Sequence, residues 1–178
     1  MLLGSMLKVT SERVREMSFL SVSMGPVMRG EELDDPRRKR DVFQGLRVLV
    51  ADDYEPWRRC VSSLFSRHPE LQIVMEVSDG LEAVLKTEEL QPDLVLLDLS
   101  LPKLNGVEAA SRIRQTTPAT KIVFITAYRD SEAIDTVLRN KADGYVLKWE
   151  ITRDLLPAIE TVVWGGKFVS PRLTEIAS

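Results

Sequence analysis

The stretch Asp93-Leu94-Val95-Leu96-Leu97-Asp98-Leu99-Ser100-Leu101-Pro102 constrains this chain more than any other. Four consecutive large apolar residues between two aspartates suit a strand buried on both faces. A parallel sheet covered by helices reads as a continuous apolar run, whereas a sheet with one wet face alternates. The strand then ends on Asp98, and open α/β sheets place their ligand crevices at the carboxyl ends of their strands. Taken alone, Asp98 is also an ordinary start for a turn.

The neighbouring segments repeat a strand–helix alternation. Leu46 to Ala51 reads as a buried strand ending in Asp52-Asp53. Pro56 suits the first turn of a helix whose Trp57, Val61, Leu64 and Phe65 fall on one face, and His68-Pro69 ends it. Leu71 to Val77 is a second strand, and Asp79 caps a helix that runs to Leu90. After the third strand, Leu99 to Asn105 form a loop, and Gly106 opens a helix that ends before Pro118. Lys121 to Ile125 form a fourth strand finishing at Thr126, Asp130 to Asn140 a fourth helix, and Gly144 to Leu147 a fifth strand that delivers Lys148. A last helix runs from about Thr152 to Trp164, with Pro157 expected near its start and Gly165-Gly166 as its stop. Five strands, each followed by a helix through a short connection, predict a doubly wound parallel α/β sheet with helices on both faces.

Composition narrows the setting. A chain of 178 residues is long enough for one domain with a proper core, or for one domain plus a tail. A net charge of -3 argues against general affinity for nucleic acid. Cys60 is the only cysteine, which excludes an intramolecular disulfide framework and a multi-cysteine zinc site and points to a reducing cytoplasm. Within an apolar helical pattern, Cys60 is expected to be a small core residue. No apolar run reaches the roughly 18 to 20 residues that span a bilayer, so no membrane segment is expected. Residues 1–45 differ in texture: Glu31 to Arg40 hold one apolar residue in ten, and this region is expected to be a poorly ordered extension. Residues 46–164 form the expected folded domain, and 165–178 a linker and tail.

Strands of one parallel sheet bring their C-terminal ends to one edge. Here those ends carry Asp52-Asp53, Asp98, Thr126 and Lys148. Three carboxylates in a partly desolvated cleft repel one another and raise each other's pKa unless a cation sits among them. A hard divalent ion answers that, and Mg²⁺ suits a site of two or three carboxylates with water in the remaining positions. Lys148 can neutralise a further negative charge and Thr126 can donate a hydroxyl hydrogen bond. Metal, ammonium and hydroxyl around a carboxylate nucleophile describe a phosphoryl site. Each piece alone has an ordinary reading as a helix cap, a surface charge or a turn residue. The ordered set across the β–α alternation is far more specific.

Residues 46–164, about two-thirds of the chain, resemble the receiver domain of bacterial two-component response regulators. The resemblance rests on Val48-Leu49-Val50-Ala51-Asp52-Asp53, on Asp93 through Pro102 continuing as Lys103-Leu104-Asn105-Gly106, on Ile125-Thr126-Ala127, and on Gly144-Tyr145-Val146-Leu147-Lys148. It implies a flavodoxin-like five-stranded parallel sheet in the order 2-1-3-4-5. It also implies that Asp98 accepts a phosphoryl group from a histidine kinase or phosphotransfer protein. Asp53, Asp98 and the backbone carbonyl of Ser100 would hold Mg²⁺, with Asp52 assisting directly or through water. Lys148 would bind one phosphoryl oxygen and Thr126 another, and Tyr145 would turn inward behind Thr126 as an aromatic switch. Ser100 and Tyr128 take the places that tune access of hydrolytic water, and bulky Tyr128 is expected to shield the acyl phosphate. Trp149 departs from the pattern, because the family lysine is often followed by proline, frequently through a cis bond, and a cis bond before any other residue is costly.

The ending, Leu155 to Pro171, resembles the last helix and linker of NarL/LuxR-type regulators, in which a helix-turn-helix domain follows. Only Arg172 to Ser178 remain here, too few for three helices, so direct nucleic-acid binding is not expected. Output is then expected from a surface of the fourth helix, fifth strand and fifth helix, through a homodimer or a bound partner. Enzymatic action would extend at most to self-catalysed phosphotransfer and dephosphorylation. A flavodoxin-like electron carrier would need a Ser/Thr/Gly-rich loop where Asp52-Asp53-Tyr54-Glu55-Pro56 stands. A haloacid dehalogenase phosphatase would need a carboxylate where Ser100 stands. A phosphorylation-independent adaptor, or a fragment of a LuxR-type transcriptional regulator, is the remaining alternative.

Overall fold

The computed structural model describes residues 43–127 and 142–176. Residues 1–42 of the expected extension, the expected helix from Asp130 to Asn140 and Tyr128 lie outside the described residues. The elements are β1 (Leu46–Ala51), α1 (Glu55–Phe65), β2 (Leu71–Val77), α2 (Gly80–Leu90), β3 (Leu94–Asp98), α3 (Gly106–Thr116), β4 (Lys121–Thr126) and β5 (Gly144–Leu147). A single 3₁₀ turn (Lys148–Glu150), α4 (Ile151–Val163), the short β6 (Phe168–Val169) and α5 (Pro171–Ile176) follow. All strand pairs are parallel and the sheet order is β2-β1-β3-β4-β5-β6. The expected order therefore holds, with a sixth strand added at the β5 edge.

The apolar run of β3 explains why the sheet closes around it. Leu94 to Leu97 are all completely buried, because helices cover both faces. Leu49, Val95, Leu97, Phe124 and Tyr145 face one layer, where Val84 of α2 and Ile113 of α3 meet them. Val50, Leu96, Ile125 and Val146 face the other, against Trp57 and Phe65 of α1 and Leu155 and Ile159 of α4. Burying such a side chain contributes about 1.5–3 kcal/mol each. Helix entry follows the sequence signals: Asp79 accepts from the Glu82 N–H and Asn105 from the Glu108 N–H.

Two expectations need correction. Cys60 is exposed. The buried stripe of α1 is Trp57, Val61 and Phe65, and at about 100° per residue Cys60 points roughly 90° away from its centre. Pro157 lies in the interior of α4, not near its start, because the helix already begins at Ile151. Its ring cannot donate to the Arg153 carbonyl, and the residue is solvent-exposed, where the turn can relax. Gly165, at φ 85°, ends the helix, a conformation that favours glycine.

The segment after Gly166, expected as linker and tail, packs back on the sheet. β6 pairs with β5 through Gly144↔Phe168 and Tyr145↔Val169. The Ser170 N–H donates to the Tyr145 carbonyl at 2.9 Å, the Leu147 N–H donates to Ser170 Oγ at 3.2 Å, and Leu173 is completely buried. Phe43, ahead of β1, is also buried. The backbone groups of β5 that would otherwise form an open sheet edge are thus occupied.

Candidate functional site

The register of the central strands assembles the site. Ala51 pairs with Leu97, so the next residues, Asp52 and Asp98, emerge side by side at the ends of adjacent strands. Side chains alternate across a strand. Asp52 and Lys148 therefore project to the layer that holds Trp57, opposite to the layer of Tyr145 and Leu147. Thr126 is in register with Leu147 and Phe124 with Tyr145, which puts Thr126 and Tyr145 on one face of neighbouring strands.

Asp52 is completely buried and Asp98 is 4% exposed, while Asp53 is exposed. One carboxylate oxygen from each of the three lies within 4.8 Å of the others. Lys148 Nζ stands 2.6 Å from Asp52 Oδ2 and 3.4 Å from Asp98 Oδ1. Asp52 Oδ2 lacks any partner at good hydrogen-bond angles, so its contact with Lys148 is a close ion pair without directional hydrogen bonding. Asp52 Oδ1 accepts from the Tyr54 N–H at 2.9 Å, and its backbone carbonyl accepts from Arg58 Nη1 at 2.7 Å. Arg58 in turn pairs with Glu76 of β2 at 3.1 Å. Burial pushes the Asp98 carboxyl above its ordinary range; the Lys148 ammonium pulls it down and the Asp52 carboxylate pushes it up further.

Thr126 is completely buried. Tyr145 is 1% exposed, and burial pushes its hydroxyl up to about 12, with Thr126 lowering it and the Asp98 charge raising it. The Tyr145 hydroxyl finds no partner at good hydrogen-bond geometry among the described residues. Ser100 is exposed in the turn after β3, two residues past Asp98. The Lys148–Trp149 bond is trans, as is every peptide bond among the described residues.

Two glycine-dependent contacts hold the turns around the acids. A Cβ on Gly106 would land on the Asp98 carbonyl oxygen, and the Gly106 N–H donates to the Leu99 carbonyl at 2.9 Å. A Cβ on Gly80 would land on the Leu104 carbonyl oxygen. Asp79 closes the same corner by pairing with Lys103 at 2.6 Å, a bond that holds its carboxyl below the ordinary carboxylate range.

The acidic set fits a hard cation. Three carboxylates, two of them buried, each bring an oxygen within 4.8 Å of the others, and an all-oxygen donor set of this charge is the kind that would hold Mg²⁺. The structure brings together Asp52, Asp53, Asp98 and Lys148, with Thr126 and Tyr145 behind the sheet edge. Sequence reasoning missed Trp57 and Arg58, four and five residues beyond Asp53, which touch Lys148 and Asp52. Their one available signal was position: they occupy the first turn of the helix that starts at the acidic pair.

Comparison with known proteins agrees with this architecture. Residues 48–160 match the family model described as the response regulator receiver domain. The oxygen regulatory protein NreC of Staphylococcus aureus is 38% identical over 130 residues, 72% of this chain and 60% of that protein. The transcriptional regulatory protein DegU of Brevibacillus brevis is 32% identical over 130 residues, 73% of this chain and 55% of that protein. This chain thus spans 55–60% of the length of these curated relatives. Among solved structures, a LuxR-family two-component response regulator from Aurantimonas sp. SI85-9A1 superposes with a TM-score of 0.69 at 32% identity, covering 74% of this chain and 94% of that one. The response regulator domain of Thermotoga maritima CheB gives 0.61 at 28% identity, covering 66% and 96%. With the parallel sheet, the acidic edge and these matches in hand, the chain belongs to the receiver domain family of bacterial two-component response regulators, of the NarL/LuxR type.

Proposed function

We propose that this receiver takes a phosphoryl group from a histidine kinase or phosphotransfer protein onto Asp98. One observation carries the reading: Asp98, nearly buried at the end of β3, stands 3.4 Å from the Lys148 ammonium within a set of three carboxylates. Bound Mg²⁺ would neutralise the acids and the incoming phosphoryl oxygens. Asp52, Asp53, Asp98 and the Ser100 carbonyl are the residues that would hold it.

One Asp98 carboxylate oxygen attacks phosphorus as the P–N bond to the donor imidazole breaks, and the imidazole leaves with that bonding pair. Lys148 then meets a phosphoryl oxygen in place of part of its contact with the acids. The Thr126 hydroxyl meets another, and Tyr145, already buried on the same face in this structure, packs behind it as the switch residue. Water later cleaves the acyl phosphate, returning Asp98 and inorganic phosphate. Ser100 borders the path of that water, and we assign Tyr128 the same role. The expected helix over residues 130–140, together with β5 and α4, is our candidate for the responding surface, for a homodimer or partner in a cytoplasmic setting.

The test is intact mass after incubation with acetyl phosphate, with and without Mg²⁺, on wild type and Asp98→Ala. A single phosphoryl adduct that needs both the metal and Asp98 supports the proposal. No adduct on well-folded wild type overturns it and shifts weight to a phosphorylation-independent adaptor.

A further inference from the structure

The Lys148 ammonium lies 5.3 Å from the centre of the Trp57 ring, on the side of the sheet that also holds Asp52. A lysine on a four-carbon stem loses several rotors when its head is held at one point. Two carboxylates attract it but do not fix where between them it rests. The indole face supplies a third boundary, attractive to a cation through the ring's negative face.

Trp57 is itself held firmly. It is 8% exposed, packs in the layer between α1 and α4, and sits in the first turn of α1, where its N–H donates to the Tyr54 carbonyl at 3.0 Å. The next residue, Arg58, anchors the same turn to the Asp52 carbonyl. Its indole Nε1–H is buried with no hydrogen-bond partner among the described residues. An aliphatic side chain would fill this place without burying an unpaired donor. A buried polar group left unmatched calls for a reason, and the π-face beneath Lys148 supplies one.

We infer that Trp57 is a positioning residue of this site: its indole face seats the Lys148 ammonium against Asp52 and Asp98, and this seating sets the rate at which Asp98 takes a phosphoryl group. The inference rests on the proposed phosphoacceptor role of Asp98 for its kinetic consequence, and on geometry alone for the seating.

The test separates the two. Trp57→Leu keeps apolar bulk and removes the ring, whereas Trp57→Phe restores a ring without the N–H. Both are first shown to fold, by far-UV circular dichroism and thermal melting. With acetyl phosphate and Mg²⁺, Trp57→Leu is expected to form the adduct on the order of threefold to tenfold more slowly at saturating donor, with the half-saturating donor concentration little changed, and Trp57→Phe to recover most of that loss. A Trp57→Leu rate equal to wild type overturns the inference. So does equal slowing in both variants, which would assign the effect to ring size rather than to the π-face. The second readout needs no phosphoryl transfer: the Lys148 ε-methylene protons, identified by their loss in Lys148→Arg, are expected upfield from the indole ring current in wild type and at ordinary positions in Trp57→Leu. Unshifted protons in wild type overturn the seating even if Asp98 is phosphorylated normally. Shifted protons in a wild type that takes no adduct leave the seating standing while the phosphoacceptor reading falls.

Discussion

Lys148 pairs more closely with Asp52, at 2.6 Å, than with Asp98, at 3.4 Å. The site's own ammonium is therefore the counter-ion of the acid pair whenever no metal is bound. Lys148→Met keeps the stem and removes that charge, leaving two buried carboxylates facing each other. Breaking a buried pair from one side typically costs about 3–5 kcal/mol. Lys148 retains some exposure, so we expect a loss near the lower end, about 3 kcal/mol, in urea unfolding with a chelator present. Excess Mg²⁺ is expected to restore much of the difference by binding the folded state only. Equal losses with chelator and with Mg²⁺ would count against the shared role of the two cations.

Gly106 meets the Asp98 carbonyl so closely that any Cβ must displace either α3 or the end of β3. Gly106→Ala is expected to destabilise the fold by about 2–3 kcal/mol, the scale of overpacking, although alanine raises helix propensity elsewhere. The adduct yield at Asp98 should fall as well, since the strand end that aims its carboxylate must shift. Urea midpoints together with intact mass check both consequences.

Tyr145 carries a buried hydroxyl whose pKa is pushed up to about 12. Of the three tyrosines, this one is expected to remain neutral through pH 11 in the folded protein. The difference between ultraviolet titrations of wild type and Tyr145→Phe isolates it, and a component titrating near 10 would contradict the buried position. The same substitution removes a hydroxyl without a well-formed hydrogen bond, so stability is expected to change by less than about 1 kcal/mol in either direction.

Asp154 ties the C-terminal segment to α4. Burial alone would raise its pKa, but hydrogen bonds from Arg153, at 2.7 Å, and from Ser170 outweigh it and hold the carboxyl below 3.8. A depressed folded pKa means that the unfolded chain binds the proton first as pH falls. The stabilisation is therefore fully present above about pH 5 and is lost as pH drops through the folded value. Asp154→Asn is expected to cost about 1–2 kcal/mol at pH 7 and progressively less below pH 4. A wild-type minus variant difference that stays constant from pH 7 to pH 3 would show that the charge is not what matters.

How much of this was legible in the linear chain follows from the range of each cause. The buried run Leu94 to Leu97, the alternation of strands and helices, and the place of Asp52, Asp98, Thr126 and Lys148 at strand ends are local properties. Continuous apolar patterning identifies a strand covered on both sides, and parallel pairing then carries every such end to one edge, whatever the details of packing. That is why the parallel sheet and the juxtaposition of the acids with Lys148 could be expected from the residues alone, whereas the strand order was implied only by the resemblance to receiver domains. The position of Trp57 under an ammonium 91 residues later, the closer pairing of Lys148 with Asp52, and the outward turn of Cys60 depend on how α1 is rotated against the sheet. The sixth strand and the burial of Leu173 depend on a segment, Lys167 to Ser178, too short for its few apolar residues to say by themselves what they pack against. Such contacts arise only when the open edge of β5 supplies unpaired backbone groups and an uncovered apolar flank. Short-range pattern thus determined the fold and the identity of the acidic site, and tertiary packing alone decided which side chains hold that site in its working geometry.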